Sequence, residues 1–511
     1  MTVPETAPAP EIPDVDLATF TLARAEDLGD KPALVEGLSG RAIGFAELKR
    51  LVEALAGALA ARGIGRGDVV AIYMPNLPEY AVIFHGVLRA NATNTTANPL
   101  YTEHELGHQL SDSGAKMVFT IQPFLETARA AAEHAGVTDI VIVGDAEGDE
   151  PTLADLIGEA AAPPEIEIDP ATDLAALPYS SGTTGLPKGV MLTHRNLIAN
   201  VLQLEGTFEI VPDDVMIGVL PFFHIYGQTV IMNLGLRNGT TVVTMPRFDL
   251  EQFLGLIAEH HVTLGWVVPP IALALAKHPA VDGADLSSLR LIMSGAAPLG
   301  PELSEAVASR LGVPTLQGYG MTETSPVTHV SPLEPDRIKP GTIGFPVPGT
   351  ETRIVDPETR EDGTRGELLI RGPQVMAGYL NNEEATRHTI DEDGWLHTGD
   401  VAEIDEDGYF AIVDRLKELI KYKGFQVPPA ELEAILITHP AIADCAVIGV
   451  PDEEAGELPK AFVVASGEVT DEEILGYVAE QVSPQKKIRL IERIEEIPKS
   501  ASGKILRRQL K

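Results

Sequence analysis

The run Tyr179-Ser180-Ser181-Gly182-Thr183-Thr184-Gly185-Leu186-Pro187-Lys188-Gly189 decides how the chain is read. It follows the strand-like stretch Leu174 to Tyr179 and gathers small and hydroxyl residues around one cation. Glycines let a backbone wrap closely around a polyphosphate, Ser and Thr hydroxyls donate to its oxygens, and Lys188 supplies a positive charge. The spacing excludes a P-loop kinase. Lys188 follows Gly185 by three and is succeeded by Gly189, so the pattern G-x-x-x-x-G-K-[ST] is not met.

Toward the N-terminus, Leu48, Leu51, Val52, Leu55 and Leu59 repeat at helical spacing after Phe45. They lead through Gly63-Ile64-Gly65-Arg66-Gly67-Asp68 into Val69-Val70-Ala71-Ile72. That order is helix, turn, strand. A dinucleotide fingerprint follows a strand and opens a helix, so these glycines are turn residues. Short β-rich runs recur at Met117 to Ile121, Ile140 to Val143, Thr240 to Met245, Leu264 to Val268 and Leu289 to Met293, with a helical pattern over Leu250 to His260. Such alternation predicts an α/β fold of layered sheets. Near Val413-Asp414-Arg415-Leu416-Lys417 the pattern becomes short and mixed α+β, which places a domain boundary there. Pro428-Pro429 and Ala430-Glu431-Leu432-Glu433 then open a helix, since Pro suits the first turn and acids its N-terminal dipole.

A chain of 511 residues holds several units at about 150 residues per domain. With 44% hydrophobic and 22% charged residues it is globular in composition. A formal charge of -37 argues against nucleic acid and anionic membranes, which require clustered Lys and Arg, so any anionic ligand must find a local basic pocket. The single Cys445 excludes an intramolecular disulfide and points to a reducing cytosol. Lying before Ala446-Val447-Ile448, it reads as a buried structural thiol. Residues 1–15 carry four prolines and no signal-peptide pattern, no run approaches the ~18 apolar residues of a membrane span, and the end is not Ser-Lys-Leu. A cytoplasmic protein is expected.

Ser180 to Gly189 resembles the AMP-binding signature of the adenylate-forming superfamily of acyl-CoA synthetases, adenylation domains and luciferases. Gln317-Gly318-Tyr319-Gly320-Met321-Thr322-Glu323, Gly394 to Asp400, Val413 to Lys417 and Pro498 to Lys504 follow in that family's order. Leu220 to Tyr226, Ser294 to Leu299 and Lys417 to Val427 look like 4-coumarate-CoA ligases and their bacterial relatives. Met293 is a departure, because plant 4-coumarate ligases typically carry Lys before the Ser corresponding to Ser294. Cinnamate-type acids and medium- or long-chain fatty acids both stay open.

The resemblance implies a large N-terminal domain over 1–414, of layered αβ sheets plus a β-barrel-like subdomain. It further implies a hinge at 415–417 turning on Lys417 and a small mobile α+β domain over 418–511. The implied enzyme is an ATP-dependent acid-CoA ligase using a carboxylic acid, ATP, Mg²⁺ and coenzyme A, as a monomer or homodimer. Ser180, Ser181, Gly182, Thr183, Thr184 and Lys188 would cradle phosphates, and Ala296, Ala297, Gln317, Gly318 and Tyr319 would form the adenine wall. Thr322, Ile412, Lys421 and Gln426 join the nucleotide site by the same resemblance. Asp400, acceptor-only, suits ribose hydroxyls, and the planar fork of Arg415 can bridge ribose and phosphate. Glu323 offers Mg²⁺ a hard oxygen. Attack of a carboxylate on the α-phosphorus builds negative charge, so catalysis needs fixed cations, and Lys504 in its Ser-Gly loop is the candidate beside Thr322 and Glu323.

His224, which taken alone suits a core histidine equally well, joins Tyr226, Met293, Gly320, Pro326 and Val327 as acyl-pocket residues by resemblance. Arg247, Lys423 and Gly424 are the coenzyme A candidates. A carrier-loading adenylation enzyme is the main rival, although no Asp stands near Phe222-Phe223-His224 to bind a substrate amine. A luciferase-like oxygenase shares the first half-reaction and is a weaker rival.

Overall fold

Strands such as Val69–Tyr73 and Leu264–Val267 are buried along their whole length, and strands of that kind need cover on both faces. In the computed structural model, which describes residues 7–159, 161–180, 187–452, 454–501 and 503–510, they build two large sheets. One runs parallel through Thr315–Gly320, Leu291–Ser294, Leu264–Val267, Val215–Gly218, Thr241–Thr244 and Pro32–Glu36. Antiparallel strands Val327–Val330 and Phe345–Pro346 extend one flank. The other sheet runs parallel through Leu174–Ala176, Thr93–Thr96, Val69–Tyr73, Ala115–Ile121 and Asp139–Val143. Lys188–Thr193 and Gly378–Tyr379 complete its edge antiparallel. One buried cluster, from Leu34 and Phe84 to Leu197 and Met293, runs between the two sheets.

The strand-like run Leu174 to Tyr179 is two strands rather than one. Leu174–Ala176 and Tyr179–Ser180 are parted at Leu177-Pro178, where Pro178 has no N–H for a ladder. Tyr179–Ser180 then pairs with Gly189 and Lys188 respectively, so Ser180 and Lys188 face one another across a hairpin. The predicted phosphate ligands Ser181, Gly182, Thr183 and Thr184 lie outside the described residues.

A third, antiparallel sheet of Glu351–Val355, Arg365–Arg371, Leu396–Ile404 and Phe410–Arg415 encloses Ile354, Leu368, Ile370 and Phe410, and is the layer expected as barrel-like. The last unit has its own core of Val427, Leu432, Leu436, Val447, Val463 and Ile474. Its strands Ile420–Tyr422, Phe425–Val427, Ile442–Asp452 and Gly456–Ala465 are covered by helices Pro429–Thr438 and Asp471–Ala479. Cys445 is buried there, its Sγ 3.5 Å from the Glu433 carbonyl oxygen. The chain enters this unit through a turn in which Glu418 N–H donates to the Arg415 carbonyl at 2.9 Å, with Lys417 exposed. Polar contacts back to the large domain include Lys277 Nζ, at the end of a helix, on the Ile437 carbonyl at 2.7 Å, and the Ala430 N–H on Asp414 of the third sheet at 2.9 Å. No helix among the described residues is long and apolar enough to cross a membrane.

Candidate active site

Strand register brings the first pair together. Asp400 and Arg415 are partners on adjacent strands, and Arg415 Nε stands 3.4 Å from Asp400 Oδ1. Tyr319, at the end of a strand in the large parallel sheet, donates its hydroxyl to Asp400 Oδ2 at 2.6 Å. Burial raises the pKa of the Asp400 carboxyl, while Arg415 and the Tyr319 hydroxyl pull it back down. Asp400 sits within the strand Leu396–Ile404. Ile412 is half-buried two places on, against the core of the same sheet.

Gln317 stands beside Ser294 in the parallel ladder, and both are buried. Gln317 Oε1 and Ser294 Oγ find no hydrogen-bond partner among the described residues. An orphaned buried polar atom costs about 1–3 kcal/mol, which makes this wall ready for a polar ligand. Next to it Ala296 holds φ at 70°, a left-handed backbone that costs a non-glycine residue on the order of 1 kcal/mol. Ala296, Ala297 and Gly318 are all half-buried.

A second network forms on the large domain. Glu323, in the short helix Thr322–Thr324, is 7% exposed. Its Oε1 accepts the Tyr379 hydroxyl at 2.8 Å and the Ser180 hydroxyl at 3.1 Å. Lys188 Nζ lies 4.7 Å from the centre of the Tyr379 ring. Sequence reasoning missed Tyr379, because a single Tyr in Met376-Ala377-Gly378-Tyr379 carries no chemical pattern and its partners are remote in the chain.

Lys504 comes from the small domain. Its N–H donates to Ser500 Oγ at 3.1 Å, and Gly503 lies against Val268 and Pro270 of the large domain. Burial and the neighbouring Arg415 lower the Lys504 pKa, while Asp400, Glu323 and Glu418 pull it upward. Its charge also reaches His224, whose pKa is lowered to about 3 by burial first and Lys504 second. His224 is therefore a neutral imidazole, its Nδ1 accepting the Tyr226 N–H at 3.2 Å.

Tyr226 opens the π-helix Tyr226–Asn233 and donates its hydroxyl to the Met293 carbonyl at 3.3 Å. The Met293 methyl fills the space over Gly318, 2.3 Å from where a Cβ would stand there. Gly320 leaves no room for a side chain, a Cβ falling 2.1 Å from the Pro326 carbonyl oxygen. Asn200, also missed in the sequence, holds Val327 through two hydrogen bonds of 2.7 and 3.0 Å. The acyl-pocket candidates thus gather on one wall.

Other candidates are not drawn in. Lys421 and Gln426 are exposed partners in the hairpin of the small sheet, and they share no hydrogen bond or ion pair with Asp400, Arg415 or Lys504. Lys423 and Gly424 form the tip of that hairpin, Lys423 paired with Glu454 at 2.6 Å. Arg247 is exposed on the large domain and, among the described residues, makes no hydrogen bond or ion pair with Lys423 or Gly424.

Two stacked parallel sheets, a phosphate-type hairpin and a lysine delivered by a separate small domain define a nucleotide-handling enzyme of the adenylate-forming type. The chain belongs to the AMP-binding enzyme family, which matches residues 22–380, with the AMP-binding enzyme C-terminal domain matching 431–504. It is 46% identical to 4-coumarate–CoA ligase 2 of Petroselinum crispum, over 97% of this chain and 93% of that one. It is 44% identical to 4-coumarate–CoA ligase 3 of Oryza sativa subsp. japonica, over 98% and 94%. Among solved structures, ATP-bound MatB from Rhodopseudomonas palustris superposes with a TM-score of 0.87 at 32% identity, covering 97% of this chain and 98% of that one. The anthranilate CoA ligase AuaEII with anthranoyl-AMP reaches 0.91 at 27% identity, covering 98% and 97%.

Proposed function

We propose that this chain is an AMP-forming acid–CoA ligase whose acid is of the 4-coumarate or cinnamate type. The observation that supports it most is the Asp400 carboxylate, held by the Tyr319 hydroxyl at 2.6 Å and by Arg415 Nε at 3.4 Å, together with the Lys504 loop, whose Gly503 lies against Val268 and Pro270 of the large domain. In the first step a carboxylate oxygen attacks the α-phosphorus and pyrophosphate leaves. Lys504 offsets the charge that develops on the phosphoryl oxygens, Lys188 holds the departing phosphates, and Asp400 accepts the ribose hydroxyls. In the second step the thiol sulfur of coenzyme A attacks the acyl carbon and AMP leaves.

Glu323 fits a Mg²⁺ role, being one oriented, buried carboxylate, since the ion takes one or two protein carboxylates and the rest of its shell from phosphates and water. Bound there, Mg²⁺ would neutralise charge on the polyphosphate. Residues 1–414 act as the adenylating domain and 418–511 swing about the turn at Lys417. Withdrawing Lys504 then brings Lys423 and Gly424 to coenzyme A, with Arg247 of the large domain as a further contact. The enzyme works in the cytoplasm as a monomer or homodimer.

Met293 supports a second reading. An unbranched, adaptable thioether over Gly318 suits an aliphatic chain as well as an aryl ring. AMP formation with ATP, Mg²⁺ and coenzyme A against acids from acetate through fatty acids to 4-coumarate separates the two. Turnover on cinnamates establishes the aryl reading, and turnover confined to aliphatic acids moves the enzyme to fatty-acid activation. AMP release without a coenzyme A requirement would overturn the ligase.

A further inference from the structure

Lys188 and Glu323 carry opposite charges and touch opposite parts of one side chain. Tyr379 presents its ring face to the Lys188 ammonium at 4.7 Å and its hydroxyl to Glu323 Oε1 at 2.8 Å. Without the ring between them the ammonium and the carboxylate would be free to pair, and such a pair would withhold the cation from phosphates and the carboxylate from a metal. Yet among the described residues Lys188 makes no ion pair, and Glu323 is served by hydroxyls instead.

Tyr379 is itself held firmly. It is 7% exposed, its strand pairs with Lys188–Thr193, and its N–H donates to Thr386 Oγ1 at 2.9 Å. The Met376 N–H ties the same segment to the Glu323 carbonyl at 2.9 Å. These bonds fix the backbone from which the ring projects. Burial, then the charge of Glu323, raises the phenol pKa, so the group remains a donor.

We propose that Tyr379 is a positioning residue of two separable parts: its ring is a spacer that keeps Lys188 free for the polyphosphate, and its hydroxyl aims the Glu323 carboxylate for Mg²⁺. The proposal rests on the assignment of Lys188 to phosphates and Glu323 to the metal, and nothing in it requires Tyr379 to touch substrate.

The two parts are read by calorimetric binding of ATP to the full chain, in excess EDTA and across a Mg²⁺ series, with thermal midpoints as the fold control. Tyr379→Phe keeps the ring and loses the hydroxyl. It should bind metal-free ATP as the parent does and require roughly tenfold more Mg²⁺ for the metal-dependent gain, the scale of one hydrogen bond to a charged acceptor. Tyr379→Leu loses both, and should weaken ATP binding about three- to tenfold even in EDTA, the scale of a partly desolvated cation–π contact. Thioester formation from supplied acyl-adenylate, which needs neither group, should be unchanged in Tyr379→Phe. If the parent shows no Mg²⁺-dependent gain, the assignment of Glu323 fails and takes the proposal with it. A parent gain kept in full by Tyr379→Phe overturns the proposal alone. So does a Tyr379→Phe in which the EDTA and Mg²⁺ constants and the thermal midpoint all fall together, since that is the mark of a merely structural tyrosine.

Discussion

At one end of the proposed site, Ser180, Lys188, Glu323 and Tyr379 all belong to the large domain and are joined by hydrogen bonds and a ring contact on neighbouring elements. At the other end, Asp400 and Tyr319 of the large domain meet Arg415 at the domain boundary, and the Lys504 loop of the small domain reaches the large one through Gly503, which lies against Val268 and Pro270. The first end is built once, by the fold. The second is assembled only while the small domain, which has its own core, stays docked. A site divided in this way can bind the nucleotide in one arrangement and exchange its catalytic group for another. Substituting Lys504 or Lys417 should therefore shift the balance between the half-reactions by altering that exchange, whereas a change at the first end should act only through the binding of ATP and Mg²⁺.

The sharpest break is Lys504→Ala. Removing one charge-stabilising group should slow adenylation by about 10²- to 10³-fold, read as pyrophosphate release. Thioester formation from a supplied acyl-adenylate should stay near the parent rate. Equal losses in both assays would place Lys504 in the fixed half of the site.

Lys417→Pro tests the opposite sense. Proline fixes φ near −65° and so stiffens the turn between the domains. We expect thioester formation to fall roughly tenfold or more while pyrophosphate release is retained. If the two rates fell together, the turn at Lys417 would not be the hinge.

Asp400→Asn keeps the shape but removes the negative charge and leaves one acceptor oxygen for ribose. It should raise the KM for ATP by roughly tenfold, the range of a charged hydrogen bond, and leave the coenzyme A constant alone. A larger effect on coenzyme A than on ATP would move Asp400 out of the nucleotide site.

Legibility in the sequence followed the same division. The layered α/β class came from alternating patterns that each strand carries locally, and the helix Leu250–His260 stands where its spacing put it. Asp400, Glu323 and Lys504 were singled out as candidates because each lies in a contiguous signature. Tyr379 and Asn200 were not, because what they do depends on partners 56 and 127 residues away, which no local period encodes. The break at Leu177-Pro178 was missed for a related reason: the apolar run reads as one strand, and only the missing N–H of Pro178 against two different neighbours splits it. The exposure of Lys421 and Gln426 is a property of the docked arrangement, which spacing does not set.

The weakest expected effect probes the seam itself. Asp414 is 5% exposed, with Oδ2 accepting the Ala430 N–H of the small domain at 2.9 Å and Oδ1 the Arg415 N–H at 2.7 Å. Burial raises its pKa from 3.8 to about 6 against the opposing pull of the Ala430 N–H and Arg507. The folded state then holds this proton more tightly than the unfolded chain. Its stabilising contribution is complete below pH 3.8, declines as pH rises, and is gone above about 6. Asn cannot ionise, so Asp414→Asn should gain on the parent in thermal midpoint between pH 5 and 7, by about 2 °C. Melts at pH 5, 6 and 7 decide it. A constant offset between the two proteins would mean that the Asp414 carboxylate stays ionised in the seam throughout, and that the contact with Ala430 holds the small domain by charge rather than by a shared proton.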